Sequence, residues 1–266
     1  MKVRASIIQM VSTAAVKDNL DMAEALLHDA AKDNSQLAVL PENFAYMGMT
    51  ERDKLEIMEI EGGGPIQAWL SKQAKETGMW VIGGSVPLVS TNSSCYSSSL
   101  VFNPDGKMCA RYDKIHLFDV NLEGNESYRE SSSITPGKNP VSVQLPWGLA
   151  GLSICYDVRF PELYRNYAGA YFLSVPSAFT KQTGEAHWEL LLRTRAVENQ
   201  AFVLAAGQGG LHQNGRVTYG NSMIVDPWGN VLGRAGTGPS VVTIDLDIGA
   251  LLQIRRNIPC LSNRAL

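Results

Sequence analysis

Apolar positions recur at two different periods along the chain, and they predict alternating strands and helices. Residues 3–11 are rich in β-branched and apolar side chains, which is typical of a strand. Between residues 18 and 32, apolar side chains recur at helical spacing with polar ones between them. Residues 37–40 are apolar throughout and predict a short buried strand that ends at Pro41.

The same alternation continues to the end of the chain. Residues 65–77 predict a helix, with Pro65 in its first turn and Gly78 as its stop. Further helices are predicted to begin at Pro161 and to cover residues 185–198 and 248–256. Further strands are predicted at residues 80–86, 141–145, 149–154, 171–175, 201–206 and 241–244, with hairpins at 96–112 and 223–232 and a loop at 119–138.

This order of elements predicts an α/β fold whose sheets are covered by helices. Neither an internal repeat nor a break in composition divides the chain, so we expect one domain over residues 1–266. Hydrophobic residues make up 45% of the sequence and charged residues 18%, as in folded proteins with a large core.

Charge and cysteine usage exclude several classes of protein. The net charge of -3 gives no basic field for nucleic acid, so we expect no nucleic-acid partner. No uninterrupted apolar run is long enough to span a bilayer, and we read the apolar N-terminal stretch as a strand rather than an export signal. No two of the four cysteines are spaced as C-x-x-C, which disfavours zinc and thioredoxin motifs. A disulfide framework is not expected in a chain of this length, so we expect reduced thiols and a cytoplasmic location.

Three residues with catalytic potential come at the ends of predicted strands. Glu42 follows residues 37–40, Lys114 follows the return strand of the first hairpin, and Cys155 ends the strand at 149–154. In open α/β sheets, ligands gather at the carboxyl ends of strands. Taken alone, each residue is more often structural: a buried thiol or a charge on the surface. The case for the three acting together therefore rests on the segments that surround them.

The segments around these residues resemble the three motifs of the nitrilase superfamily. They read LPENF at 40–44, RYDKIHLF at 111–118 and GLSICYDVRFPE at 151–162. The resemblance to the Nit-type amidases covers nearly the whole chain. It continues at residues 129–131, 135–137, 176–179, 186–189, 193–200, 219–222 and 226–229.

This resemblance implies an α/β fold in the form of a four-layer αββα sandwich, which forms a homodimer or a higher homo-oligomer through helices near the nucleophile. It makes Cys155 the nucleophile, Glu42 the general base and Lys114 the oxyanion stabiliser. It also implies that Glu130 orients the substrate and Lys114. The backbone amide of Tyr156, which directly follows the nucleophile, would be a second oxyanion donor.

The expected substrate is a small linear amide that carries a carboxylate. Arg159 resembles the arginine with which carbamoyl hydrolases bind a carboxylate, and its fork suits that group; alternatively it pairs with Asp157 or Glu162. Residues 208–212, ahead of Arg216 and Tyr219, resemble the deaminated-glutathione branch of the family.

Several alternatives stay open. They are an omega-amidase acting on 2-oxoglutaramate, an N-carbamoyl hydrolase, and a catalytically silent binding or scaffold relative. The silent relative is disfavoured because the three catalytic residue types are all present. A true nitrilase is disfavoured because Tyr156 and Asp157, rather than Trp and Glu, follow the nucleophile.

Other chemistries have weaker support in the sequence. A papain-like site would pair Cys155 with His116, His187 or His212, and none has a supporting motif. No cluster with metal-ligand spacing and no phosphate-binding glycine motif is present in the sequence. We therefore expect neither a metal nor an organic cofactor.

Overall fold

Seventeen strands and five α-helices make up the regular structure of the described residues. The computed structural model describes residues 1–91, 93–122 and 127–265. The strands are β1 (Lys2–Gln9), β2 (Leu37–Val39), β3 (Trp80–Ile82), β4 (Val86–Thr91), β5 (Ser94–Phe102), β6 (Met108–Asp113), β7 (Asp119–Asn121), β8 (Ser127–Arg129), β9 (Ser142–Leu145), β10 (Gly148–Leu152), β11 (Phe172–Ser174), β12 (Phe202–Ala205), β13 (Gly209–Leu211), β14 (Val217–Tyr219), β15 (Met223–Val225), β16 (Val231–Arg234) and β17 (Ser240–Asp247). The helices are α1 (Val16–Lys32), α2 (Pro65–Thr77), α3 (Pro161–Arg165), α4 (Lys181–Asn199) and α5 (Ile248–Asn257).

Two large sheets organise these strands. Within the described ranges, the first sheet has seven strands in the order β17-β1-β2-β3-β5-β4, and β6 also pairs with β5. The second has six strands in the order β16-β15-β12-β11-β10-β9. The centre of each sheet is parallel, formed by β1, β2 and β3 in one and by β10, β11 and β12 in the other.

Alternation along β1 shows how the layers stack. Val3 and Ile7 lie in a core cluster that also contains Phe172 of the second sheet and Trp188 of α4. Ile8, on the opposite face of the strand, lies in a second cluster with apolar residues of α1 and α2. Successive side chains of a strand point to opposite faces, so one face of this sheet packs on the other sheet and its second face packs on helices. The order of layers is helix, sheet, sheet, helix, and the predicted αββα sandwich is confirmed. That residues 1–266 form one domain stays a prediction. The core cluster to which both sheets contribute supports it.

The predicted strand at residues 80–86 is wrong in one respect, since it is divided between β3 and β4. The strand conformation is interrupted at Gly84, whose φ is +49°. A Cβ there would lie 2.0 Å from the carbonyl oxygen of Pro41, so only glycine fits against the loop that follows β2. Just beyond, the Ser85 hydroxyl accepts a hydrogen bond from the Asn43 amide at 2.8 Å. The interruption between β3 and β4 therefore lets Gly84 and Ser85 support the loop that carries Glu42.

Other boundaries also differ from prediction. The predicted loop at 119–138 contains the β7–β8 hairpin and a 3₁₀ turn at Glu130–Ser132, while residues 123–126 lie outside the described part. Helix α4 begins at Lys181 rather than at residue 185, because the Thr180 hydroxyl caps the Thr183 amide. The hairpin of β13 and β14 was not predicted. These short strands lack the apolar alternation on which sequence prediction depends.

Candidate active site

Cys155 lies at a sharp turn of the backbone. Strand β10 ends at Leu152, two residues earlier than predicted, and a 3₁₀ turn begins at Cys155. The φ of Cys155 is +50°, a left-handed conformation that non-glycine residues rarely adopt. Its amide donates to the Pro176 carbonyl at 2.8 Å, which fixes the turn. Strained backbone of this kind clusters at functional sites.

The buried carboxylate of Asp157 joins the turn at Cys155 to the segment that carries Lys114. One oxygen of Asp157 accepts from the Ile154 amide at 2.8 Å and from the Tyr112 hydroxyl at 2.7 Å. The other accepts from the His116 amide at 3.0 Å and lies 2.7 Å from His116 Nδ1. Because these bonds link residues 112–116 to residues 154–157, Asp157 sets the position of Lys114 relative to Cys155.

Lys114 lies between two buried carboxylates. Its Nζ is 2.7 Å from Glu42 Oε1 and 2.9 Å from both oxygens of Glu130. The side chains of Lys114, Glu42 and Glu130 are 2%, 5% and 11% exposed. The Phe118 amide donates to Glu130 Oε2 at 2.7 Å, so Glu130 itself is held in place. Buried charges are tolerated when they are paired and hydrogen-bonded in this way.

Glu42 lies in the loop after β2, and a side chain from a distant segment binds its backbone carbonyl. Gln208 Nε2 donates to the Glu42 carbonyl at 3.0 Å and to the Ser12 hydroxyl at 2.8 Å. The next residue, Asn43, has a φ of +56°, which turns the chain sharply. Glu42 is therefore held by contacts to distant segments as well as by its bond to Lys114.

The protonation states of the three groups follow from their surroundings. Burial and the nearby Glu42 carboxylate raise the pKa of the Cys155 thiol well above its usual range. Burial alone would raise the pKa of Glu42, but the charge and hydrogen bond of Lys114 outweigh it and lower that pKa. Burial would lower the pKa of Lys114, and the charges of Glu130 and Glu42 raise it instead. At neutral pH the group is thus a thiol, a carboxylate and an ammonium.

A pocket of about 480 Å³, its mouth included, opens onto these groups. Five of the six predicted site residues line it: Glu42, Lys114, Glu130, Cys155 and Tyr156. The other lining residues are Asn43, Glu51, Lys54, Phe118, Tyr128, Ala178, Phe179, Thr180, Thr183 and Arg216.

Arg159 lies beside the pocket, against two residues of its wall. Its guanidinium carbon is 5.4 Å from the ring centre of Phe179 and 5.8 Å from that of Tyr156. Arg159 Nη1 is 3.3 Å from His187 Nδ1. In the described part of the chain, its polar contact is with His187 rather than with Asp157 or Glu162, the acids considered as alternative partners.

Sequence reasoning missed several residues of the site. Glu51 and Arg216 reach the pocket from loops, and Lys54 reaches it from the 3₁₀ helix Asp53–Ile57, all outside the three motifs. Lys54 Nζ pairs with Glu51 at 2.9 Å. Asp157 lies inside the third motif, two residues after Cys155. That position was the feature of the sequence by which it could have been found. For Arg216 the signal was its place in the segment that resembles one branch of the family.

The histidines considered for a papain-like pair have other partners. His116 is bound to Asp157, and His187 contacts Arg159. His212 is buried, with Nδ1 2.9 Å from the Ser12 carbonyl and Nε2 2.7 Å from the Thr218 hydroxyl. Each of these three rings is thus engaged with a partner other than Cys155.

The described residues were compared with the requirements of a metal site and of a membrane-spanning helix. Among them, the group of side chains spaced to hold a metal ion is Glu24, His28 and Glu76 on α1 and α2, and none of the three lines the pocket. No helix in the described ranges is long and apolar enough to cross a membrane. The expectation that no cofactor is needed stays a prediction.

Comparison with known proteins shows which family this chain resembles. Residues 4–256 match the family model described as carbon-nitrogen hydrolase. A deaminated glutathione amidase of Synechocystis sp. is 39% identical over 266 residues, covering 98% of this chain and 97% of the relative. The omega-amidase NIT2 of Bos taurus is 38% identical over 263 residues, covering 98% of this chain and 94% of the relative. The crystal structure of Saccharomyces cerevisiae Nit3, described as a member of branch 10 of the nitrilase superfamily, superposes with a TM-score of 0.87 at 31% identity and covers 97% of this chain and 94% of that one.

The chain belongs to the carbon-nitrogen hydrolase family. It is a hydrolase that acts on carbon–nitrogen bonds other than peptide bonds, and it lies in the Nit branch of the nitrilase superfamily. The resemblance read from the sequence motifs is thereby confirmed.

Proposed function

We propose that this protein is an amidase that hydrolyses a small, carboxylate-bearing linear amide through a thioester on Cys155. The preferred substrate is deaminated glutathione or a similar 2-oxo-acid amide. One observation carries the proposal: Glu42 and Lys114 meet at 2.7 Å in a buried pocket that Cys155 also lines. The names of the two relatives support the substrate class.

The first step is attack of the thiol on the amide carbon. As the bond from sulfur to carbon forms, the thiol proton passes to Glu42, whose lowered pKa keeps it ionised and ready to accept. The carbonyl oxygen becomes an oxyanion beside the ammonium of Lys114. The Tyr156 amide is the proposed second donor. Glu130 holds Lys114 with both carboxylate oxygens, so the ammonium is already placed before the charge develops.

The second step releases the amine. The intermediate collapses, the carbon–nitrogen bond breaks, and Glu42 gives its proton to the departing nitrogen. A thioester remains on Cys155. Water then attacks the thioester while Glu42 accepts its proton, and the proton returns to sulfur as the acid leaves. The products are the acid and ammonia or an amine, and the enzyme regains its starting state.

A substrate panel tests the proposed function. Release of ammonia or amine would be measured from deaminated glutathione, 2-oxoglutaramate and an N-carbamoyl amino acid. We expect the largest kcat/KM for deaminated glutathione. Faster hydrolysis of 2-oxoglutaramate would assign the second candidate, an omega-amidase, which the 38% identical relative favours. Hydrolysis of none of them would favour a binding or scaffold role instead.

Arg159 is proposed to bind the substrate carboxylate. Arg159→Lys should reduce kcat/KM for a carboxylated amide more than for a neutral amide of equal length. Lysine keeps the positive charge but loses the planar fork that forms two parallel hydrogen bonds. Loss of one charged hydrogen bond predicts a differential effect of about 10-fold or more. Kinetics on the two amides would measure it.

The contact with His187 provides the control for this variant. His187→Leu removes the polar partner of Arg159 and leaves the guanidinium in place. It should therefore change the ratio of kcat/KM between the carboxylated and the neutral amide less than Arg159→Lys does. Equal losses on both amides in Arg159→Lys would mean that this residue supports the pocket wall rather than the substrate.

The protein is further proposed to form a homodimer through α4. Leu190 and Val197 on this helix are 66% and 49% exposed, and Trp228 beside it is 59% exposed. Arg193 Nε donates to the Gly229 carbonyl at 2.8 Å, which places the turn at Trp228 against α4. An apolar surface of this kind favours burial against a partner, and a second copy brings an identical face.

Sedimentation would test the dimer. The wild-type protein should have twice the mass of one chain, and Leu190→Glu should shift it toward the monomer. Leu211→Glu is the matched control, since Leu211 is 69% exposed on β13 and should leave the mass unchanged. A wild-type monomer at micromolar concentration would contradict the proposal.

A cytoplasmic location is also proposed. The four cysteines are unpaired, and Cys155 must stay a thiol to react. Cell fractionation that placed the protein in an oxidising compartment would contradict it.

A further inference from the structure

Helices α1 and α2 lie side by side on the outer face of the first sheet. They follow β1 and β2, which are parallel, and their apolar faces pack into one core cluster that includes Leu27 of α1 and Leu70 of α2. The two helices therefore run in the same direction, and one side of each faces the other. We call the line along which they meet the α1–α2 seam.

Three side chains with metal-binding atoms meet at this seam. Glu24 and His28 are four residues apart, so they lie on one side of α1, and Glu76 reaches them from α2. Each offers one ligand atom, and these atoms all lie within 4.8 Å of one another. Glu76 also lies 3.7 Å from Lys72 Nζ, but both side chains are half-exposed, and such pairs contribute little. The seam thus brings together one imidazole and two carboxylates.

Beneath these three side chains lies a buried amide without a partner. Gln73 is 0% exposed, and neither its Oε1 nor its Nε2 has a hydrogen-bond partner among the described residues. Gln73 comes three residues before Glu76, so both lie on the side of α2 that faces α1. Because Gln73 is buried and Glu76 is exposed, the amide lies at the base of the seam. An unsatisfied buried amide is costly and rare, which points to a ligand that the amide binds.

The kinds of ligand atom select the ion. An imidazole nitrogen is typical of Zn²⁺ sites, whereas Mg²⁺ and Ca²⁺ take oxygen ligands. The two carboxylates balance the charge of a divalent cation. Ligands about 2.1 Å from Zn²⁺ lie about 3.4 Å apart in a tetrahedron. Glutamate and histidine side chains at the surface of two helices can reach that spacing by rotation about their side-chain bonds.

We propose that a Zn²⁺ ion binds at the α1–α2 seam and joins the two helices. Its ligands are Glu24, His28, Glu76 and, from below, Gln73 Oε1. Among the described residues that line the catalytic pocket, none is a ligand of this site. The ion is therefore structural and takes part in no step of the proposed hydrolysis.

Calorimetric titration of the whole protein with ZnCl₂ tests this site. We expect one ion per chain at the seam, and this ion should raise the unfolding temperature because it binds only the folded protein. His28→Ala and Glu76→Gln should each raise the Kd of this ion about 10-fold or more, since loss of even an outer partner of a metal ligand has an effect of that size. Asp29→Asn is the matched control. Asp29 is exposed on α1 and pairs with Lys32, so this variant should keep the wild-type Kd.

Gln73→Leu distinguishes a metal ligand from a side chain that only packs. Leucine has a similar size and no polar atom, so without metal the variant should unfold at the wild-type temperature or above it. With Zn²⁺ present, its unfolding temperature should rise less than that of the wild type. A variant that is less stable without metal and keeps the full gain from Zn²⁺ would overturn the assignment of Gln73 as a ligand.

Thiols are the competing site for zinc, and Cys155→Ala removes the one in the catalytic pocket. This variant should bind the ion at the seam with the wild-type Kd. Loss of the ion in Cys155→Ala would overturn the proposal, and so would an unchanged Kd in both His28→Ala and Glu76→Gln. Tighter binding of Ca²⁺ than of Zn²⁺ would also contradict it. Each of these outcomes would leave the proposed amidase function standing, because hydrolysis is measured separately.

Discussion

Cys155→Ala should abolish turnover while leaving the fold intact. The thiol is the proposed nucleophile, and no other cysteine lines the pocket in the described residues. Without sulfur no thioester can form, and the remaining groups can only position and polarise the amide. Steady-state kinetics on deaminated glutathione would measure the loss. Intact-protein mass spectrometry after a short substrate pulse should find the acyl adduct on Cys155 of the wild type and none in the variant.

The other thiols provide controls for this result. Cys109 is exposed on β6, and Cys109→Ala should retain both activity and adduct. Cys95 is buried and does not line the pocket, so no substrate reaches it and it should stay unmodified during the pulse. An adduct mapped to Cys95, Cys109 or Cys260 would refute the assignment of the nucleophile.

Glu42→Gln should lower kcat by about two to four powers of ten, the contribution expected of a general base. The amide keeps the shape of the side chain but cannot take the thiol proton. The pH profile gives a second signature of the same role. The pKa of Glu42 lies below its ordinary value of 4.5, so the acid limb of kcat/KM in the wild type should lie below that pH. As pH falls through the lowered pKa, the carboxylate is protonated and activity is lost.

In Glu42→Gln the residual activity should no longer show this acid limb. Glu185→Gln, a change in an exposed carboxylate of α4, should leave the limb where the wild type has it. Combining Glu42→Gln with Lys114→Met should cost much less than the product of the two single losses, because residues that act as a unit are not additive. A wild-type acid limb near neutral pH would point to another base, such as a histidine.

The long elements and the residues that come together at the pocket could be predicted from the sequence. Helix α2 (Pro65–Thr77) has the bounds that its Pro65 start and Gly78 stop predicted. Predicted strand ends and three motifs singled out Glu42, Lys114 and Cys155, and the structure places all three on one pocket. Both kinds of signal are local, since periodicity and strand ends reflect residues close together in the chain.

Only the tertiary structure decided which distant residues complete the site. Asp157 acts through bonds to Tyr112 and His116, more than forty positions earlier in the chain. Gly84 divides a predicted strand because the Pro41 carbonyl approaches it from another segment. Arg216 reaches the pocket from the β13–β14 connection, although it lies outside the three motifs.

The physical reason is the same in each case. A buried hydrogen bond, a close backbone approach or an unpaired charge is a relation between two segments that the fold brings together, and the local pattern of either segment does not contain it. The sequence by itself therefore determined the layers of the fold and the three groups that are proposed to react. The tertiary structure decided how those groups are held, where Arg159 lies, and that Arg216 lines the same pocket.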